Sequence, residues 1–241
     1  MAAPDDVVFL VDVDNTLLDN DRIVAELGDR LLRDAGAEWA QRYWALFETL
    51  RGELGYADYL GALQRLRGEI ESRGADAQAL LRISGFLMDY PFADRVYAGA
   101  VDALAALRRR GPTVILSDGD IVFQPRKIRR SGLWRAVEGR VLIYVHKERM
   151  LAEVARAFPA RHHVMVDDKP RLLGAFKAAW GDRVTTVFPT QGHYAADAAE
   201  IARHPPPDLT IAHIGDLARM NIAGWLPATG APHESADTTT P

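Results

Sequence analysis

The chain contains no cysteine, and of its 29 basic residues only four are lysines: Lys127, Lys147, Lys169 and Lys177. The missing thiols exclude a disulfide framework, zinc on thiolates, iron–sulfur clusters and a cysteine nucleophile. Neither sign of charge is in excess. The 29 basic residues face 33 acidic ones, a net charge of −4, which gives no pull toward nucleic acid or an anionic membrane. No apolar run approaches bilayer-spanning length, and Met1 to Asp6 are acidic where a secretory signal would be basic. A cytoplasmic protein is the expectation. The 241 residues, 48% of them hydrophobic, suffice for one domain with a proper core, or a core carrying one insertion.

Five short apolar runs rich in β-branched residues stand out: Val7–Val11, Thr113–Leu116, Val141–Val145, His163–Val166 and Val184–Phe188. They do not alternate apolar with polar, which suits strands buried on both faces of a parallel sheet. Helical patterns at Ala100–Arg110, Lys147–Phe158 and Leu172–Trp180 separate them, and Gly111-Pro112 stops the first. The order predicts an α/β fold, doubly wound, with a mainly parallel Rossmann-like sheet. Residues 17–92 differ, reading as helices around Ile23–Ala35, Glu38–Arg51, Tyr59–Ser72 and Gln78–Met88. That block is too long for an ordinary crossover, so an inserted all-helical domain is expected. It holds nine arginines, no lysine and thirteen acids, an unsuitable surface for a nucleic-acid clamp. The expected division is a core of residues 1–16 and 93–225, an insert of residues 17–92, and a disordered tail of residues 226–241.

Ligands of open α/β sheets bind beyond the C-terminal ends of the strands, so the residues there carry the functional information. The first strand leads into Asp12-Val13-Asp14-Asn15-Thr16 and the second into Ser117-Asp118-Gly119. The third leads into His146-Lys147-Glu148 and the fourth into Asp167-Asp168-Lys169. Any one of these could be turn or cap chemistry alone. Together they place several carboxylates on one rim, where they repel unless a cation sits among them. Lys147 opens a helix, where the macrodipole disfavours a cation, so an anionic partner accounts for its position. Gln191-Gly192-His193-Tyr194 follows the fifth strand, and His193 is a further candidate at the rim. Within the insert, Arg42, Tyr43, Trp44, Arg51 and Tyr56 are candidate substrate contacts; an aromatic stripe at helical spacing reads as core, which leaves Arg51 and Tyr56, near Gly52 and Gly55, as the better ones. Arg126, Lys127, Arg129 and Arg130 read as a solvated helix face.

The ordered set Asp12-x-Asp14-x-Thr16, Ser117, Lys147 and Asp167-Asp168 resembles the four motifs of the haloacid dehalogenase-like hydrolase superfamily, from about Asp6 to Phe188. The helical insert lies where that superfamily carries its first cap. Phosphate-receiver domains use similar groups in a different chain order. The resemblance implies a Mg²⁺-dependent phosphatase acting on a small phosphorylated metabolite through an aspartyl phosphate. It implies Asp12 as nucleophile and Asp14 as general acid and base. Ser117, Asp118, Gly119, Lys147 and the main chain around Val13 and Asn15 would bind the phosphoryl group. Asp12, Asp14 through its carbonyl, Asp168 and Asp167 would hold the metal. Asn15 stands where many relatives have glycine, and Asn tolerates unusual backbone angles. The third acid found in part of the superfamily is missing, since Arg171 and Leu172 stand there. A phosphotransferase or mutase, a 2-haloacid dehalogenase and a non-catalytic phosphate-binding module are the alternatives. Neither nucleic acid nor membrane is expected as a partner.

Overall fold

The computed structural model describes residues 5–73 and 77–221. Six parallel strands form one sheet: β1 (Asp5–Val11), β2 (Thr113–Asp118), β3 (Val141–Tyr144), β4 (Ala160–Val166), β5 (Val184–Pro189) and β6 (Leu209–Ile211), in the order β3-β2-β1-β4-β5-β6. The chain crosses to opposite sides of β1, so the switch point lies at its C-terminal end. Side chains alternate across a strand. Val7, Phe9 and Val11 enter one apolar cluster while Val8 and Leu10 enter another, which is why β1 reads as an unbroken apolar run.

On the first face lies α5 (Ala100–Arg108), through Ala103, Leu104 and Leu107. The second face is covered by α8 (Leu151–Ala157), through Val154, and by α9 (Pro170–Trp180), through Leu173 and Phe176. The expected helix from Lys147 begins as a 3-10 turn, Lys147–Arg149, ahead of α8. Between β1 and β2 come α1 (Asn20–Ala35), α2 (Ala37–Leu54), α3 (Tyr59–Ser72) and α4 (Gln78–Asp89). Ile23, Leu27 and Leu31 bury one stripe of α1, and Asp19 and Asp58 cap α1 and α3 with carboxylates on main-chain N–H groups. The connections entering and leaving the insert run side by side: Leu17 O accepts from Tyr97 N at 3.0 Å, and Arg95 O from Asp19 N at 2.8 Å.

The basic segment after β2 is a correction to the sequence reading. It forms α6 (Phe123–Arg130), in which Arg129 and Arg130 are exposed as expected, while Lys127 is buried and Arg126 half-buried where the helix docks against the insert. Arg126 and Arg130 donate to Met88 O (2.6 Å) and Asp89 O (3.0 Å), the unsatisfied carbonyls at the C-terminal end of α4. Arg129 stacks over Trp134 in α7 (Leu133–Ala136), and Lys127 is buried. The strand β6 was not anticipated, because Leu-Thr-Ile is too short to show a pattern. Two short helices, α10 (His193–Ala196) and α11 (Ala198–Ala202), precede it. The tail of residues 226–241 lies outside the described residues.

Phe123 joins core and insert, with its ring 5.8 Å from that of Tyr59 and 5.9 Å from that of Phe92. Phe123→Ala removes a buried aromatic and should cost about 3–5 kcal/mol. For a domain of this size that is a Tm fall of roughly 6–20 °C. Ile121→Ala, at a side chain 86% exposed, should leave Tm within about 2 °C. Equal shifts by thermal denaturation would contradict this placing of Phe123.

Candidate active site

The switch point gathers the acids. Asp12 follows β1 and donates its N–H to Val166 O at 2.9 Å, which sets it beside Asp167 and Asp168 at the end of β4. One carboxylate oxygen from each of the three lies within 4.8 Å of the others, and all three residues are buried. Lys147, fully buried, enters from the turn after β3. Its Nζ stands 2.5 Å from Asp12 Oδ1, 2.6 Å from Asp167 Oδ2 and 3.2 Å from Leu116 O. Its main-chain N–H donates to Asp118 Oδ1 at 2.8 Å, fixing the base of the side chain.

Three buried carboxylates share the ammoniums of Lys147 and Lys169, which leaves a deficit of positive charge. Burial pushes Asp12 up to about 7, with Lys147 opposing and Asp167 adding. Burial, then Asp167 and Asp12, hold Asp168 well above the usual carboxylate range. For Lys147, burial alone would lower the pKa, but Asp12 and Asp167 outweigh it and raise it. Lys169 is raised in the same way, chiefly by Asp12 and Asp168 against burial. Asp12 Oδ2 and both oxygens of Asp168 have no hydrogen-bond partner. Buried carboxylate oxygens are rarely left so. A set of hard, unpartnered oxygens suits a divalent cation such as magnesium.

The loop after β1 is held from three sides. Asn15 adopts φ 58°, and its Oδ1 accepts from Asn20 N (3.0 Å) and Asp21 N (3.1 Å) at the start of α1. Gln191 donates to Asn15 O (3.2 Å) and Thr16 O (2.8 Å). Asp168 N donates to Thr16 Oγ1 at 3.0 Å. Gly192, at φ +76°, packs so closely that an added Cβ would stand 2.6 Å from Asn15 Cβ. Two donors expected to serve a phosphate are already engaged: Asn15 N–H donates to Leu18 O at 2.7 Å, and Gly119 N–H to Tyr144 O at 2.9 Å. The N–H groups of Val13 and Asp14 meet no acceptor among the described residues. Ser117, buried at the end of β2, accepts from Gln124 Nε2 at 2.9 Å. Half-buried Asp118 is raised by burial, with Lys147 opposing.

Asp14 has an unanticipated partner. Lys127 Nζ lies 2.6 Å from its Oδ1, and Gln124 Nε2 3.2 Å from its Oδ2. Neither was singled out for the site, because Lys127 sits among exposed arginines and looks like one of them. Its chemistry was the available signal: three of the chain's four lysines, Lys127, Lys147 and Lys169, stand at this one rim.

Asp14, Lys127, Asp168 and Lys169 face a cavity of about 690 Å³ between core and insert. Arg51, Tyr56 and His193 all line it. His193 Nδ1 is 2.7 Å from Asp21 Oδ1, and Arg51 makes a loose pair with Glu48 at 3.6 Å. Arg42 instead bonds Glu69, and Tyr43 is buried with its hydroxyl donated to Tyr59 O at 3.0 Å.

Sheet order, helical insert and lysine-bridged acids define the class: α/β proteins of the haloacid dehalogenase type. The family profile described as haloacid dehalogenase-like hydrolase matches residues 7–180, and the chain belongs to that family. A haloacid dehalogenase-like hydrolase from Burkholderia xenovorans LB400 is 64% identical, with a TM-score of 0.84, over 90% of this chain and 100% of its own. The Bacillus subtilis hydrolase YfnB, bound to magnesium, shares the fold at 16% identity and TM-score 0.57 over 89% and 98% of the two chains. An L-2-haloacid dehalogenase from Xanthobacter autotrophicus, with chloropropionic acid covalently bound, does so at 20% and 0.55 over 88% and 96%. No curated protein sequence matches.

The raised Asp12 carries a stability signature. Relative to an unfolded carboxylate near 3.8, a folded value of about 7 favours the folded state at low pH. That contribution is lost as pH rises from about 4 to 7. Asp12→Asn mimics the protonated form, so in chelator its Tm should gain on that of the unsubstituted protein as pH rises from 4.5 to 7.5. A difference that stays constant across that range would contradict the charge deficit.

Proposed function

We propose that this hydrolase is a Mg²⁺-dependent phosphatase that cleaves a small phosphorylated metabolite through an aspartyl phosphate on Asp12. The observation carrying this reading is the buried trio Asp12, Asp167 and Asp168 with three unpartnered oxygens beside Lys147. Asp12 and Asp168, with the Asp14 carbonyl, would hold the ion, and Asp167 orients Lys147 beside them. When bound, the ion supplies the positive charge that lets a carboxylate approach a phosphate dianion.

Asp12 attacks phosphorus through a carboxylate oxygen, and the bond to the leaving oxygen breaks. Asp14 gives that oxygen a proton, then takes one from the water that attacks the acyl phosphate, releasing inorganic phosphate and restoring Asp12. Lys147 offsets charge on nucleophile and phosphoryl group, while Ser117 and the free N–H groups of Val13 and Asp14 receive phosphoryl oxygens. The insert acts as a lid that excludes competing water, its Arg51 and Tyr56, with His193 from the core, contacting the leaving group. A cavity of about 690 Å³ suits a small molecule better than a folded phosphoprotein or nucleic acid. Among the described residues no helix is long and apolar enough to cross a membrane, and a cytoplasmic setting fits such a substrate.

Transfer of the phosphoryl group to an acceptor other than water would use the same groups. Attack on carbon, as in a haloacid dehalogenase, needs neither a protonating Asp14 nor an acid pair for a metal. The test is phosphate release from a panel of phosphorylated metabolites and an aryl phosphate, with chloropropionate as the counter-substrate. Release should require Mg²⁺ and fall about 10³-fold or more in Asp12→Asn. Full turnover in chelator, or halide release instead of phosphate, would overturn the reading. Arg51→Ala or Tyr56→Phe should reorder the metabolite panel by about 10-fold while sparing the aryl phosphate. An unchanged order would remove the insert from substrate choice.

A further inference from the structure

Lys127 is 2% exposed, a rare state for a lysine, and it is buried against the partly open carboxylate of Asp14. Asp14 is clamped through both oxygens from one helix face. Lys127 Nζ is 2.6 Å from Oδ1 and Gln124 Nε2 is 3.2 Å from Oδ2, the two donors three residues apart on α6. The clamp continues outward on both sides. Gln124 also donates to Ser117 Oγ at 2.9 Å, and Lys127 to Asn20 Oδ1 at 3.2 Å. Asn20 opens α1 of the insert.

A side chain that gives and takes a proton must be held within about half an ångström of its working position. Asp14 projects into the cavity from a loop, and its partners on α6 are the only side chains among the described residues that hydrogen-bond its carboxylate. Resting on the phosphatase reading, we infer that Lys127 is a positioning residue for Asp14: it fixes the carboxylate toward the leaving oxygen and ties that orientation to the insert through Asn20. Lys127 itself touches neither the phosphoryl group nor the leaving oxygen. Gln124 steadies the second oxygen and shares its amide with Ser117, so acid and phosphate ligand are set by one helix. A lysine serving only as a bridge between core and insert would need Asn20 and not Asp14; here the Asp14 contact is the shorter by 0.6 Å, the difference between 3.2 and 2.6 Å.

The test uses the full chain with Mg²⁺ and two substrates: an alkyl phosphate, whose leaving oxygen needs a proton, and nitrophenyl phosphate, whose leaving group does not. Lys127→Met should lower alkyl phosphate turnover about 10²-fold, while the single-turnover burst of nitrophenol falls less than about 5-fold. Lys127→Gln, which keeps a donor toward Asp14 and Asn20, should recover part of the loss. In an Asp14→Asn background, Lys127→Met should change alkyl phosphate turnover by less than about 3-fold, because the pathway through Asp14 is already gone. Equal losses on the two substrates, additive losses in the double variant, or unfolding of both Lys127 variants would make Lys127 a structural bridge and overturn the assignment. If the unsubstituted protein releases no phosphate from either substrate, the phosphatase reading falls and takes this one with it.

Discussion

The ammonium of Lys147, buried between Asp12 and Asp167, is the interaction on which the rim depends. Carboxylates crowded out of water repel one another and each loses its hydration, so the cluster requires a fixed positive charge. The chain meets this with a lysine whose main-chain N–H is tied to Asp118 and whose stem passes the end of β2 to reach the switch point. Even with Lys169 beside it, two ammoniums do not balance three acids. The remaining deficit appears as the raised Asp12 and Asp168 and as the oxygens without partners. The same deficit opposes folding at this rim, because carboxylates without water or a counter-charge are costly to bury.

Parallel strands make this crowding possible. With every strand running the same way, β1, β2 and β4 present their C-terminal ends at one edge, and the turn after β3 reaches the same edge. Asp12 is bonded to Val166 O, so the register between β1 and β4 decides that Asp12 meets the acid pair. A slip of one residue would turn Val11 toward the site and Asp12 into the apolar layer. The loop that follows serves two ends at once. Asn15 caps α1 with its side chain while its left-handed backbone keeps Asp14 at the cavity, and Gln191 with Gly192 closes over it from β5. The insert therefore begins at a point rigidly tied to the acids.

Much of this was legible in the sequence because its signals are local. Unbroken apolar runs marked five of the six strands, and helical spacing broken at glycines marked α1 to α4 within a few residues of their bounds. That the acid pairs, Ser117 and Lys147 would meet was readable because the ends of neighbouring parallel strands converge on one edge. What stayed hidden depends on tertiary contact. Lys127 carries no local mark that separates it from Arg126, Arg129 and Arg130; only docking of α6 against the insert turns one of the four inward. Asn15 and Gly119 were expected to offer N–H groups, yet each N–H is consumed by a turn or strand partner that periodicity does not display. β6 has three residues, fewer than any pattern requires.

The two buried lysines divide a task that one could not perform. Lys147 must remain with Asp12 and Asp167, because removing it would leave acids with neither water nor counter-ion. It has no freedom to hold Asp14 as well. Asp14 lies nearer solvent, with 26% of its side chain exposed, where water could swing the carboxylate among several orientations. A second ammonium, delivered from a different helix and buried on its far side, removes that freedom without adding charge to the acid trio. Lysine suits both places for the same reason: a compact charge on a long stem reaches a carboxylate from an element that cannot itself approach it. Three of the four lysines in this arginine-rich chain stand at this one rim.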